Sequence, residues 1–407
     1  MNGSWGTIAD ETWDEHASNV VCRALGYQAG GSPRRYGVFG QGVGPLLLDY
    51  VRCRGNEDNL LLCEYRSNST KNLHDKDVGV VCEDNNPVST NCDRACVDAE
   101  TLTCVYTWDV TYYYSMNGKC GKCYTNPDDC EIDGCVPLGG RKRPLVTVNK
   151  QVPGPKIIVC KGDTIVVNVT NMLDDMTGVT FHWHGMNQNL TPSMDGPSMI
   201  TQCPIPFATT FTYKFRANNA GTYFWHSHIG PNRADGLAGP LIIRDAIEVK
   251  SEDYDVDDST HVMFIQDWLE DYTETAHYIS YLYDRGENNA RFFLINGKGR
   301  NDTSGANTSA VPREVINVQR GMKYRIRVIN NGFAGCHIKL SVDNHTLNVI
   351  AMDGYIIENT EVTAVIVHPG ERFDFVLNAC QPGNSTHRLR IEGYVVFRCY
   401  LIVFTAL

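Results

Sequence analysis

Across its 407 residues the chain has no apolar run long enough to cross a bilayer as a helix, which takes roughly 20 residues. Basic residues are in the minority. Lys and Arg number 36 against 47 Asp and Glu, leaving a net charge of −11. That balance argues against nucleic acid and against an anionic membrane surface as partners. The opening residues do not read as a signal peptide, because Met1 is followed at once by Asn2-Gly3-Ser4-Trp5-Gly6. Cysteine, by contrast, is plentiful at 16 residues, as expected of a chain that matures in an oxidising compartment. Asn-x-Ser/Thr acceptors begin at Asn2, Asn68, Asn168, Asn189, Asn301, Asn307, Asn344 and Asn384 and point the same way. The expectation is a secreted protein. Export without an export signal reads as a truncated N-terminus. At the usual ~100–200 residues per domain, the length predicts two to four domains.

Chemistry concentrates in two short stretches, His182-Trp183-His184-Gly185 and Trp225-His226-Ser227-His228. In an extended strand, residues i and i+2 project to the same side. Each stretch therefore presents two imidazoles together, and both lie among strand-forming aromatics. Neutral imidazole ligates copper, zinc, iron and nickel. A single His-x-His pair is commonplace, whereas two pairs in matching surroundings predict a metal site. Structural zinc sites usually gather cysteines or a closed set of four ligands around one ion. No cysteine lies beside either pair. Two pairs on neighbouring strands suit more than one ion.

With their surroundings, these stretches resemble the multicopper oxidases, specifically laccases of the invertebrate type. The matching text includes Val152-Pro153-Gly154-Pro155, Met194-Asp195-Gly196-Pro197, Gly221-Thr222-Tyr223-Phe224-Trp225, Arg233-Ala234-Asp235-Gly236 and Pro369-Gly370-Glu371-Arg372-Phe373. The resemblance implies cupredoxin domains and copper as cofactor. His182 corresponds to the type 2 copper ligand, and His184, His226 and His228 to ligands of the type 3 pair. Asp195 corresponds to the carboxylate that relays protons to reduced oxygen. The family's remaining cluster histidines, and the Cys and His ligands of its blue (type 1) copper, belong to a third cupredoxin domain. Here the matching text stops within the second. A blue site needs a thiolate, two imidazoles and often a weak axial Met. Only Cys336-His337 sets Cys beside His, and no suitably spaced His and Met follow. Cys336 is read as structural, and the type 1 site as absent from these residues.

The expected fold is mainly β: tandem cupredoxin-like Greek-key β-sandwiches, preceded by a small disulfide-rich α+β domain and a Cys-rich segment. Residues 1–84 resemble a scavenger receptor cysteine-rich (SRCR) domain entered partway, through Gly3-Ser4-Trp5-Gly6-Thr7, Val20-Val21-Cys22-Arg23 and Asp77-Val78-Gly79-Val80-Val81-Cys82. The resemblance implies bridges Cys22–Cys82 and Cys53–Cys63. It also implies loss of both halves of a third bridge, at Ala9 and Leu73, and a role in binding a protein or surface ligand. Residues 85–140 hold seven cysteines, so one must pair outside the segment; Cys160 is the nearest candidate. Residues 141–248 form the first cupredoxin domain. By resemblance, Cys203 bridges to the missing third domain and is expected to be a free thiol. The acidic run at 247–258 reads as a solvated linker. Residues 249–393 form the second cupredoxin domain, where His337, His345 and His368 read as structural and Cys380 and Cys399 as a local bridge. Residues 394–407 form an apolar tail that reads as truncated or misread.

The family couples one-electron oxidation of phenols, aromatic amines or metal ions to four-electron reduction of dioxygen. Lacking an electron entrance, this stretch is expected not to turn over by itself. The alternative is a secreted binding protein, with the SRCR module carried on a catalytically dead cupredoxin scaffold.

Overall fold

The computed structural model describes residues 6–9, 11–25, 27, 30–66, 74–82, 86–246, 253–269, 290, 292–300, 311–333, 337–379, 386–394 and 403–406. The expectations for Leu73, Cys336, Cys380 and Cys399 fall outside them. The chain divides into two compact units, residues 1–87 and 88–407.

The first unit is organised on one helix, Glu15–Ala24. Asp14 caps it by accepting the Ala17 N–H, and Glu15 places negative charge in the first turn. Its apolar stripe of Ala17 and Val20 packs on Trp13, Leu48, Val51, Cys53 and Cys63. Short strands pair around it: Thr7–Ile8 with Leu46–Leu48, Gly31–Arg34 with Gly79–Cys82, and Tyr50–Arg52 with Glu64–Arg66. Disulfides join Cys22 to Cys82 and Cys53 to Cys63. A core this small gains much of its stability from such crosslinks.

The second unit contains two β-sandwiches. In the first, one sheet runs in the order Ile157–Cys160, Ala238–Arg244, Gly221–Ser227, Phe181–His184. The facing sheet runs Thr210–Arg216, Thr164–Asn171, Thr103–Tyr114, Val88–Ser89, and Pro144–Val148 also pairs with Thr103–Tyr114. The sequence boundary at 141 therefore cuts through this sandwich. Thr103–Tyr114 looks like part of the cysteine-rich segment, yet it is a twelve-residue strand pairing in register with Thr164–Asn171. Its β-branched and aromatic content was the better guide to its role than the flanking cysteines. Those cysteines tie the segment down: Cys92–Cys104, Cys96–Cys160, Cys120–Cys135 and Cys123–Cys130. The odd cysteine of the seven is thus Cys96, and it pairs with Cys160. Cys203 is exposed and free.

The second sandwich has a six-stranded sheet in the order Phe292–Ile295, Val262–Trp268, Lys323–Asn330, Arg372–Asn378, Leu347–Met352, Tyr355–Val362. A four-stranded sheet of Val365–Val367, His337–Val342, Leu389–Tyr394 and Val403–Ala406 faces it. Between the sandwiches, Ile158, Phe224, Ala238 and Ile242 meet Val262, Phe264 and Ile329. This seam explains why all seven residues of Gly221–Ser227 are buried. Tyr223 and Trp225 face the core of the first sandwich, whereas Phe224 faces the seam.

Charge is buried at the seam too. Arg327 forks onto Asp257 at 2.8 and 2.6 Å, and Arg325 onto Asp374 at 3.0 and 2.6 Å. Asp257 is therefore no solvated linker residue: burial is the largest influence and raises its carboxyl, but Arg327, Arg325 and Arg244 together hold it below the usual range.

Candidate metal centre

Strand register brings the two His-x-His pairs together. Phe181–His184 runs antiparallel to Gly221–Ser227, with His182 opposite His226 and Trp183 opposite Trp225. The alternation that sends the histidines to one face sends the tryptophans to the other. There Trp183 and Trp225 pack around Trp108 with ring centroids 6.0 and 4.4 Å away. Burial of these large rings fixes the register, because a one-residue slip would put the tryptophans in the site and the histidines in the core.

The imidazoles converge. Ring centroids lie 5.6 Å apart for His182 and His184, 5.4 Å for His182 and His226, and 5.5 Å for His184 and His226. One ligand atom from each of these three lies within 4.8 Å of the others. His228 is on the exposed rim, its ring 5.5 Å from His182 and 5.9 Å from His226. Its backbone N–H donates to the Thr180 carbonyl at 3.2 Å.

Backbone carbonyls orient two of the rings. His182 Nδ1 contacts the Asp195 carbonyl at 2.9 Å, and His226 Nδ1 contacts the Ser227 carbonyl at 2.8 Å. A carbonyl only accepts, so each Nδ1 carries the proton and each Nε2 lone pair is left for a metal. His226 Nε2 lies 3.3 Å from His184 Nδ1. Phe224 supports His184 from behind, stacked at 4.4 Å and 21°.

The Asp195 loop is set by close approach. Trp183 Nε1 donates to the Met194 carbonyl at 3.0 Å. Gly196 has φ +96°, and a Cβ there would lie 1.8 Å from the Phe181 carbonyl oxygen. Only glycine fits, and its fit holds Asp195 against His182. The Asp195 carboxylate also faces His182, with Oδ1 3.3 Å from Nδ1.

Electrostatically, the site favours neutral rings. Burial lowers the pKa of His182, with Asp195 opposing it. His184 is pushed down to about 3, chiefly by burial and then by the charge of Arg372. His226 falls well below its ordinary value, first through burial and then through Arg233. Rings that stay unprotonated can bind a metal without first losing a proton.

The two arginines were not singled out as site residues from sequence, although both lie in stretches that carry the resemblance. Arg233 reaches Asn331 and the Gly332 carbonyl at 2.8 and 3.0 Å. Arg372 binds the Thr222 and Gly370 carbonyls at 3.1 and 3.0 Å. Gly370 closes on His184: a Cβ there would come within 3.2 Å of the ring. The second sandwich thus forms part of the wall of the site, which no spacing rule reveals.

The chain is similar to known proteins. Residues 130–248 and 259–393 each match a family described as multicopper oxidase, and residues 1–83 match the scavenger receptor cysteine-rich domain. Laccase-4 of Thanatephorus cucumeris is 39% identical over 256 residues, covering 60% of this chain and 46% of that protein. Laccase-1 of Cryptococcus neoformans var. grubii is 34% identical over 289 residues, covering 68% of this chain and 42% of its own length. The chain thus spans less than half the length of these curated relatives. Among solved structures, the laccase from Botrytis aclada superposes with a TM-score of 0.57 at 31% identity, over 72% of this chain and 49% of that one. The blue copper oxidase from Nitrosomonas europaea gives 0.51 at 26%, over 72% and 79%. Residues 130–248 and 259–393 are therefore laccase-like multicopper oxidase domains, a family that binds copper, and residues 1–83 are an SRCR domain.

Proposed function

We propose that the four histidines are one wall of the copper cluster at which a laccase-like oxidase reduces dioxygen. His182 is the type 2 ligand, and His184, His226 and His228 serve the type 3 pair. The observation that carries this reading is the convergence of His182, His184 and His226 within 4.8 Å, on a face opposite a tryptophan core. The donor set suits copper: neutral imidazoles, with Nδ1 of two of them already bonded to carbonyls. Bound there, copper supplies the electron storage and the dioxygen chemistry.

The chain's own residues do the rest. The two carbonyl contacts hold His182 and His226 in the tautomer that turns Nε2 inward. Asp195, partly exposed beside His182, stands between solvent and site and delivers protons through its carboxyl. Phe224 and Gly370 keep His184 from rotating away. The remaining cluster ligands and the blue copper come from a further domain, as the family pattern implies. Residues 88–407 then supply the oxygen side, and phenols, aromatic amines or metal ions supply electrons at the other. The protein acts outside the cell, consistent with six disulfides among the described residues.

Copper analysis of the purified full chain and of His226→Ala tests the proposal. The expected result is histidine-bound copper that the substitution removes, with neither intense blue absorption nor phenol oxidation. Equal copper in both proteins would overturn the assignment of the site. Blue absorption with phenol turnover would overturn the division of labour.

A ligand-binding role for the first unit has its own support. Tyr36, Val38, Phe39 and Val43 are 77%, 63%, 67% and 89% exposed along one loop. Clustered exposed apolar side chains mark recognition surfaces.

A further inference from the structure

We propose that His337 and His368 form a second metal site, for a single cation of the Zn2+ or Cu2+ class, in the second sandwich. It shares no ligand with the four-histidine cradle.

The pair follows from sheet register. His337–Val342 runs antiparallel to Val365–Val367, with Ile338 opposite Val367. One step outward sets His337 directly across from His368. Their ring centroids are 3.9 Å apart at an interplanar angle of 53°.

A further observation favours a metal over simple ring packing. Among the described residues, His337 Nδ1 is buried and has no hydrogen-bond partner. Buried polar atoms nearly always find a partner, and a metal ion would supply one. The His368 backbone is held in place, because Glu371 Oε2 accepts its N–H at 2.7 Å. Imidazole donors suit zinc or copper better than magnesium or calcium, which prefer all-oxygen shells. His368 is exposed, which opens a route for the ion and lets its ring turn to admit one. Spacing rules miss this pair because 31 residues separate the two histidines; only the sheet brings them together.

The test is calorimetric titration of the metal-free full chain with Zn2+, and separately with Cu2+. His368→Ala, His337→Ala/His368→Ala and His226→Ala are compared with the wild type. Removing His368 is expected to abolish one binding event per chain, or to weaken it at least tenfold, while His226→Ala keeps that event. His368 is exposed, so its replacement leaves the core intact. In parallel, Zn2+ should protect His337 and His368 of the wild-type chain from diethylpyrocarbonate, read by peptide mass spectrometry. Unchanged stoichiometry and affinity in the double variant, or no protection at these two residues, would overturn the proposal. If the cradle reading alone fails, His226→Ala titrates like the wild type while the His368 event stays in place.

Discussion

Replacing Asp374 by Ala should destabilise the second unit more than any single change at its surface. Asp374 is 1% exposed. Its Oδ2 accepts from Arg325 Nε and Nη2 at 3.0 and 2.6 Å and from Arg327 Nη1 at 3.2 Å. Its Oδ1 accepts from Thr222 Oγ1 at 2.7 Å. Removing the carboxylate takes a charged partner from both buried guanidiniums, while Asp257 still holds Arg327 and the Tyr254 hydroxyl still accepts from Arg325. Breaking a buried, hydrogen-bonded ion pair costs about 3–5 kcal/mol, because the surviving charge stays desolvated. For a unit this large, that corresponds to a fall in Tm of roughly 6–20 °C. Thr222→Val removes one hydroxyl and should cost about 1–2 kcal/mol. The two residues share a bond, so the double variant should lose less than the sum of the singles. Thermal and guanidinium unfolding of all four proteins, followed by tryptophan fluorescence, measures this. A loss below about 1 kcal/mol for Asp374→Ala would refute the claim that paired charge holds the seam.

Gly196→Ala should displace the Asp195 loop, since its Cβ would sit 1.8 Å from the Phe181 oxygen at φ +96°. About 2–4 kcal/mol of stability and at least tenfold in copper affinity should go with it, measured by melting and by competitive chelation. Acid should weaken the metal-free protein. His184 and His226 titrate lower when folded than when unfolded. Their contribution is therefore complete above about pH 6.5 and is lost as pH falls below it toward the folded values. Melts at pH 7.5 and 5.0 should show wild type losing more Tm than His226→Ala; an equal loss would contradict the sign. Cys160→Ala should cost about 4 kcal/mol by loop entropy, because the Cys96–Cys160 bridge closes a sequence separation of 64. Denaturant unfolding measures that loss, and thiol labelling should find Cys96 newly reactive.

The parts of the site that depend on local periodicity were legible in the sequence. His-x-His within aromatic strands shows a shared face, and the resemblance supplied Asp195. What periodicity cannot show is a contact made across the sheet or across the seam. Arg372 and Gly370 reach His184 only once the second sandwich has packed, and Arg233 finds its partners Asn331 and Gly332 there. Asp257 reads as one more acid in a charged run, because nothing local announces the Arg327 that it meets. Thr103–Tyr114 was hidden by its cysteine-rich flanks, since crosslinks dominate a reading by residue type even where the backbone is a plain strand.

The same strand, Gly221–Ser227, links the ligands to the rest of the molecule. His226 and Phe224 shape the metal face, Tyr223 and Trp225 fill the first core, and Thr222 bonds to Asp374 across the seam. Arg372 holds the Thr222 carbonyl and, through the Gly370 carbonyl, the turn that covers His184. The two carbonyl contacts position His182 and His226 within the first sandwich; among the described residues His184 has no such carbonyl contact and leans on Phe224 and on a turn of the second sandwich. Loosening the seam should therefore act unequally on the ligands, freeing His184 before His182 or His226. That asymmetry follows from where each imidazole gets its support, and ring-specific NMR of Asp374→Ala would read it directly.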